Sequence, residues 1–191
     1  MEAKMFHLKH TKKSLTIYDI QDDSGTPVFQ VQCLADRTQG KLQLVNQTGE
    51  LVLDISPLLN SVQGEHRPTF KFEKDGNLFL TVVRTFGGSR RLEGNGPLGQ
   101  LVLDCDEVHK RSRGGYWGKW GKEYFGNTNF AEISWKILDV NMNRCGYIRS
   151  EDESLLSYSI EVIGNADVYS ILGLAVLLAE NIELIPYGRL N

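Results

Sequence analysis

The sequence predicts a mainly β protein: a closed antiparallel β-barrel of about twelve strands that encloses a hydrophobic C-terminal α-helix. Two observations carry this prediction. Segments in which apolar and polar residues alternate recur along most of the chain, separated by turn-forming residues, which is typical of antiparallel strands. Near the end, the run from Ile171 to Ala179 contains no polar side chain. A helix that is apolar all round must be buried, and a closed sheet surrounds such a helix with inward-facing side chains.

Three hairpins are predicted in the first half of the chain. In each, two alternating segments flank a cluster of Asp, Asn, Ser, Thr or Gly residues. The strand pairs are residues 15–20 and 27–33, residues 41–45 and 50–55, and residues 69–73 and 78–84. Ser56 and Pro57 predict one helical turn over residues 56–60, because serine is a good N-cap and proline fits the first helical position.

The middle of the chain is rich in glycine. Glycines among Arg90, Arg91 and Pro97 predict a loop over residues 86–99, although Leu98 to Cys105 resembles a strand. A second irregular region, residues 110–126, combines basic residues, aromatic residues and glycines. We therefore expect a single domain over residues 1–191 with an irregular glycine-rich insertion around residues 86–126.

The last third of the chain returns to strands and then changes to a helix. Strands are predicted over residues 130–140, 145–149 and 156–163, and a final short strand over residues 182–185. The helix is predicted from Asn165 to Ile182, with Asn165 as its N-cap and Asp167 in its first turn. Its apolar run is shorter than the roughly 20 residues that a bilayer span needs, so we expect no transmembrane segment.

Composition narrows the functional classes. The hydrophobic fraction of 41% and charged fraction of 24% are ordinary for a globular protein. The formal charge of −3 argues against a dedicated nucleic-acid binder, which is usually basic. The first ten residues lack the apolar core of a signal peptide, and the three cysteines form no CxxC pair. We expect buried cysteines in a reducing, cytoplasmic compartment.

The order of elements resembles the tubby C-terminal-like superfamily, which includes tubby domains, phospholipid scramblases and LURP-one-related proteins. Within it, the LURP-one-related and bacterial YxjI-like branch is the most similar. The resemblance is carried by residues 15–31, residues 41–52 and residues 158–179, and residues 86–126 depart from it. It implies a barrel of about a dozen strands around a C-terminal helix and no shared catalytic residues. It also implies phosphoinositide binding, as in tubby domains, a disputed lipid role, as in scramblases, or no assigned biochemistry.

Candidate catalytic and metal-binding groups are scattered. His7 and His10 are three residues apart, but in a strand they point to opposite faces, so we expect no metal site and no cofactor. No Walker-type phosphate loop occurs. Pairs of carboxylates could support acid–base chemistry or could simply favour turn backbones. These carboxylates are Asp22, Asp23, Asp104, Asp106, Glu107, Asp152 and Glu153.

Basic clusters beside aromatic residues are the clearest functional pattern. Cations attract anionic headgroups, and tryptophan prefers the interfacial zone of a membrane. The same composition suits single-stranded nucleic acid, or a solvated loop that closes the barrel end. The candidate anion-binding residues are Lys12, Lys13, Arg90, Arg91, Lys110, Arg111, Arg113, Trp117, Lys119 and Trp120.

The sequence therefore predicts a non-enzymatic binding or interaction module. Its expected ligand is an anionic phospholipid or another phosphorylated ligand, which would place it in the cytoplasm and at the inner membrane surface. A structural, partner-binding protein without a small ligand remains an alternative. A hydrolase that uses carboxylates at a barrel end is the third reading.

Overall fold

Strands account for most of the chain in the computed structural model. The structure describes residues 2–11, 16–33, 41–58, 69–84, 91–96, 99–110, 130–151 and 156–180. Of residues 58, 84, 91–92, 104–110 and 130–133 it describes the backbone only. The described strands are β1 (Ala3–His10), β2 (Thr16–Asp22), β3 (Pro27–Cys33), β4 (Leu42–Asn46), β5 (Leu51–Leu58), β6 (Thr69–Lys74), β7 (Asn77–Arg84), β8 (Arg91–Gly96), β9 (Gly99–Lys110), β10 (Phe130–Leu138), β11 (Arg144–Ser150) and β12 (Ser157–Ile163).

The twelve strands form one closed antiparallel barrel, as predicted. Each strand pairs with its neighbours in sequence, and β1 closes the sheet by pairing with β12, with Leu8 opposite Tyr158. Closure leaves no exposed sheet edge. Because consecutive strands alternate in direction, the connections between them fall on two opposite ends of the barrel.

We call these the hairpin end and the loop end. The connections at the hairpin end are short: residues 23–26, 47–50, 75–76, 97–98, 139–143 and 164–167. The connections at the loop end are residues 11–15, 34–41, 59–68, 85–90, 111–129 and 151–156.

Helix α1 (Val168–Glu180) lies inside the barrel, where every residue from Ser170 to Ala179 is buried. Two glycines let it fit. A Cβ placed on Gly173 would lie 2.7 Å from Leu53 Cδ2 in β5, and one placed on Gly146 in β11 would lie 2.9 Å from Ile171 Cδ1. Strands β5 and β11 are diametrically opposite in the twelve-strand ring, so the barrel wall contacts the helix on both sides.

The inward faces of the strands complete the core. Each fully buried aliphatic or aromatic side chain contributes about 1.5–3 kcal/mol relative to an exposed one. The largest completely buried side chains are Trp135, Phe72, Leu8, Ile20, Leu44, Leu53, Ile55, Leu103, Ile137, Ile148 and Ile160.

The predicted N-cap of the helix is wrong by two residues. Gly164, at φ +63°, and Asn165 form a turn in which the Ala166 N–H donates to Ile163 O. Asn165 is therefore used within the turn and does not cap the helix. Asp167 is the N-cap, because its carboxylate accepts the Ser170 N–H at 2.6 Å. The end of the prediction, Asn181 and Ile182, and the short strand at residues 182–185 lie outside the described residues.

The predicted helical turn at residues 56–60 is also wrong where the structure describes it. Ser56 and Pro57 continue β5, with Pro57 opposite Phe70 of β6. The described register with β4 ends at Ile55. Beyond Ile55, β6 is the one described neighbour of β5. A strand that is paired on one side tolerates proline, which has no N–H to donate.

The predicted loop at residues 86–99 contains strand β8. The packing of β8 against β7 requires glycine at position 96, because a Cβ on Gly96 would lie 2.4 Å from the carbonyl oxygen of Phe79. Gly94 lies over Leu80, where an added Cβ would come within 3.2 Å of Cδ1. Glycine usually weakens a strand, but it also permits such close approach.

Candidate functional site

Three turns at the hairpin end share one hydrogen-bond pattern. An Asp or Asn at the end of the first strand accepts the backbone N–H groups two and four residues later. These acceptors are Asp22, Asn46 and Asp139, with distances of 2.8–3.0 Å. Such Asx interactions explain why Asp and Asn mark these positions in the sequence.

The carboxylates in these turns are stabilised in the charged form. Hydrogen bonds from Ser24 and Thr26 lower the pKa of Asp22, and those from Asn143 and Asn141 lower the pKa of Asp139. Asp22, one of the predicted acidic residues, therefore supports its turn. Of the other predicted carboxylates, Asp152 and Glu153 lie outside the described residues, as do the side chains of Asp104, Asp106 and Glu107.

The fourth position of each turn has a left-handed backbone. Gly25 (φ +82°) and Gly49 (φ +84°) occupy it in two turns, and Met142 (φ +65°) occupies it in the third. Met142 and the neighbouring Val140 are 58% and 60% exposed. Val140 and Met142 were not identified from the sequence as exposed apolar residues. A signal was present, because Met142 stands where the two related turns have glycine.

Aromatic residues close the barrel around the start of α1 at the hairpin end. Tyr169 packs edge-on against Phe29, with 6.2 Å between ring centroids. The ammonium group of Lys74 lies 4.3 Å from the centroid of the Tyr169 ring. A cation at this distance is attracted by the ring face, so it favours the observed position of Tyr169.

At the loop end, a buried tyrosine meets the last residue of the helix. The Tyr18 hydroxyl hydrogen-bonds to Glu180, and His10 packs edge-on against the Tyr18 ring at 5.5 Å. Burial, the negative charge and hydrogen bond of Glu180, and nearby Tyr158 raise the pKa of Tyr18 far above its usual value. The phenol therefore stays neutral and acts as a donor that ties the helix end to β2.

The predicted anion-binding residues fall in segments whose flanking strand ends lie at the loop end. Lys12 and Lys13 lie in the β1–β2 connection, Arg90 in the β7–β8 connection, and the segment from Arg111 to Trp120 in the β9–β10 connection. This last segment holds Arg111, Arg113, Trp117, Lys119 and Trp120. All of these residues lie outside the described part of the chain. The backbones of Arg91 and Lys110 are described, at the loop-end termini of β8 and β9.

The described histidines have separate partners. His7 Nδ1 contacts the Glu151 carboxylate on the outer wall of the barrel, whereas His10 contacts Tyr18. Cross-strand from His7, the Ser159 hydroxyl donates to the carbonyl oxygen of Arg149 at 3.5 Å. Among the described residues, no three His, Cys, Asp or Glu side chains are grouped closely enough to hold a metal ion.

The described cysteines are partly buried thiols. Cys33 and Cys145 pack against the core, and the Cys145 thiol donates to the carbonyl oxygen of Ile137 at 3.4 Å. Burial, with a smaller effect of the Asp139 charge, raises the pKa of Cys145 to about 11. Because the thiolate is the nucleophilic form, this raised pKa disfavours a nucleophilic role for Cys145 at neutral pH.

Within the described ranges, the structure contains no helix with both the length and the apolar character needed to cross a membrane.

Comparisons with known proteins identify the fold alone. No protein-family model matches the chain, and no curated protein matches it. The X-ray structure of a protein from Arabidopsis thaliana matches with a TM-score of 0.53 and 14% sequence identity. The match covers 95% of this chain and 91% of the Arabidopsis chain. The closed twelve-strand barrel with its C-terminal helix is consistent with a tubby-like fold.

Proposed function

We propose that this protein is a non-enzymatic binding module of the tubby C-terminal-like superfamily, in its LURP-one-related and YxjI-like branch. Its loop end binds an anionic phosphate group, on a phospholipid headgroup or on a soluble phosphorylated ligand. The protein acts in the cytoplasm, peripherally at the inner membrane surface.

The carrying observation is the topology of the barrel. The basic residues are far apart in sequence, yet the described strand ends that flank their segments all lie at one end of the barrel. The loop-end connections hold ten basic and six acidic residues, whereas the short connections at the opposite end hold acidic residues and no basic ones, among them Asp23, Asp75 and Asp139. A barrel with this charge distribution orients its loop end towards an anionic surface, because each Lys or Arg near such a surface contributes about 1 kcal/mol.

The barrel core supports a binding role for the loops. The residues that bury α1 are apolar, and the helix has no face left for a ligand. Specific contacts must therefore come from the outer wall or from the connections between strands, where binding residues are commonly found on rigid scaffolds.

Vesicle flotation tests the lipid form of the proposal. The wild type is expected to float with vesicles that contain phosphatidylinositol phosphates and not with neutral phosphatidylcholine vesicles, and salt should weaken the binding. The variant Lys12→Glu/Lys13→Glu should lose most of it. The matched control, Lys4→Glu/Arg144→Glu, makes the same change in net charge at the hairpin end, where both side chains are exposed.

Calorimetry with soluble inositol phosphates distinguishes the two sources of phosphate. Heat of binding with these compounds, without vesicle flotation, assigns a soluble ligand. Equal loss of flotation in the loop-end variant and in the hairpin-end control would refute a localised site. Absence of binding in both assays at low salt would refute the function.

A further inference from the structure

Among the described residues, most of the large exposed apolar side chains lie at the hairpin end. The described residues expose five large hydrophobic side chains, and four of them lie at this end: Leu51, Leu78, Val140 and Met142. The fifth, Leu156, lies at the loop end. Single exposed apolar residues such as Leu51 and Leu78 are normal on a protein surface, but Val140 and Met142 lie in one turn and form an exposed apolar pair.

Met142 keeps its place at a cost in stability. A residue with a Cβ is disfavoured in the left-handed region, where the two turns with the same hydrogen-bond pattern have glycine. The methionine side chain is 58% exposed, so burial in the fold does not offset this cost. A side chain retained in a strained and exposed position is better explained by a contact outside the chain.

The turn is already rigid before any partner binds. The Asp139 carboxylate accepts the N–H groups of Asn141 and Asn143, and the Met142 N–H donates to the carbonyl oxygen of Asp139. Val140 also faces Gly99 of β9, where an added Cβ would be 3.6 Å from Val140 Cγ1. A preorganised tip loses little conformational entropy on binding.

Charge indicates what kind of surface would cover this end. Five hairpin-end connections each contain one acidic residue and no basic residue: Asp23, Glu50, Asp75, Asp139 and Asp167. The flanking strand ends add Lys4, Lys74 and Arg144, but acidic residues remain in excess, and this excess disfavours both an anionic membrane and the pairing of two hairpin ends. The complementary surface is apolar in its centre and basic around it.

We propose that the hairpin end is a docking surface for a protein partner. Val140 and Met142 enter an apolar recess of that partner, and lysine or arginine side chains around the recess face the acidic turns. The loop end remains free for its own ligand, so the barrel connects two different molecules through opposite ends. This docking does not depend on the phosphate-binding function proposed above.

Panning of a phage-displayed library of random peptides against the whole chain tests the proposal. Enriched peptides are expected to combine large apolar residues with lysine or arginine. Their affinity should fall at least about tenfold for Val140→Ser/Met142→Gly, since each lost apolar contact of 1.4 kcal/mol corresponds to a factor of ten. Leu156→Ser, which removes an exposed leucine at the opposite end, should leave the affinity unchanged.

Thermal unfolding separates docking from folding. Met142→Gly alone should raise Tm by about 2–4 °C, because glycine relieves the left-handed strain. A fall in Tm would make Met142 a structural residue and overturn the proposal.

Three further results would overturn the proposal. One is a panning result in which the enriched peptides lack basic residues, or bind the double variant as tightly as the wild type. Another is flotation with neutral vesicles that the double variant abolishes, which would assign a lipid surface. The third is a concentration-dependent dimer in sedimentation that the double variant abolishes, which would assign a second copy of this chain.

Discussion

Replacing Gly173 with alanine should destabilise the protein, although alanine is the better helix former. In an exposed helix this change gains about 1 kcal/mol. Here the added Cβ would lie 2.7 Å from Leu53 Cδ2 and 2.8 Å from Phe72 Cε2. Both neighbours are completely buried and cannot move away without displacing other core side chains. Overpacking of this kind costs about 1–3 kcal/mol, which offsets the helix-propensity gain and leaves a net loss of up to about 2 kcal/mol.

The assay is urea denaturation of the wild type and of Gly173→Ala, supported by calorimetric Tm values. A loss of up to about 2 kcal/mol corresponds to a fall in Tm of up to about 8 °C. The double variant Gly173→Ala/Leu53→Val provides the matched control, because valine lacks the methyl group that the new Cβ approaches. The two changes should couple favourably by at least about 0.5 kcal/mol. A single variant more stable than the wild type would show that the barrel wall does not confine the helix.

Three other substitutions test separate parts of the fold. Tyr18→Phe should cost about 1 kcal/mol by removing the hydrogen bond to Glu180. Since the pKa of Tyr18 is raised in the folded state, the phenol ionises first in the unfolded state, and the stability of the wild type should fall above about pH 10. Denaturation at pH 7 and at pH 11 should show a smaller fall in stability for Tyr18→Phe than for the wild type. Asp139→Ala should lower Tm at neutral pH. Because the folded pKa of Asp139 is lowered, protonation removes the stabilisation by the carboxylate, and the difference in Tm from the wild type should shrink as pH falls below about 4. Asp139→Asn, whose amide oxygen still accepts both N–H groups, should be as stable as the wild type at neutral pH. Gly96→Ala should lower Tm by several degrees through its clash with the Phe79 carbonyl, and an unchanged melting curve would contradict the close approach of β8 to β7.

The sequence correctly predicted those elements in which the local residue preferences favour the same conformation as the packing of the whole barrel. The hairpins around Asp22 and Asn46 were predictable because Asx and glycine residues both mark the turn and make its hydrogen bonds. The buried helix was predictable because a run without polar residues has one stable environment in a strand-rich protein. Within that helix, the missing side chain of Gly173 leaves room for Leu53 and Phe72 of the barrel wall.

The errors arose where long-range packing overrides local preference. Glycines in β8 indicated a loop, yet Gly96 is required by the backbone of the neighbouring strand. Ser56 and Pro57 have a good helix-start pattern, but pairing with β6 extends them. The exposed position of Met142 was missed because its equivalence to Gly25 and Gly49 becomes evident only when the three turns are aligned by their hydrogen bonds.

The order of elements along the chain has a consequence for synthesis. The barrel closes through β1 and β12, and its interior is filled by α1, the last described element. A nascent chain that has emerged as far as β11 therefore presents inward-facing apolar strands with neither their closing partner nor the helix that covers them. Such a chain depends on chaperones or on a slow, late collapse, because long-range pairing must precede most of the burial. Truncation before Val168 should leave a protein that aggregates during translation, whatever the intrinsic stability of its hairpins.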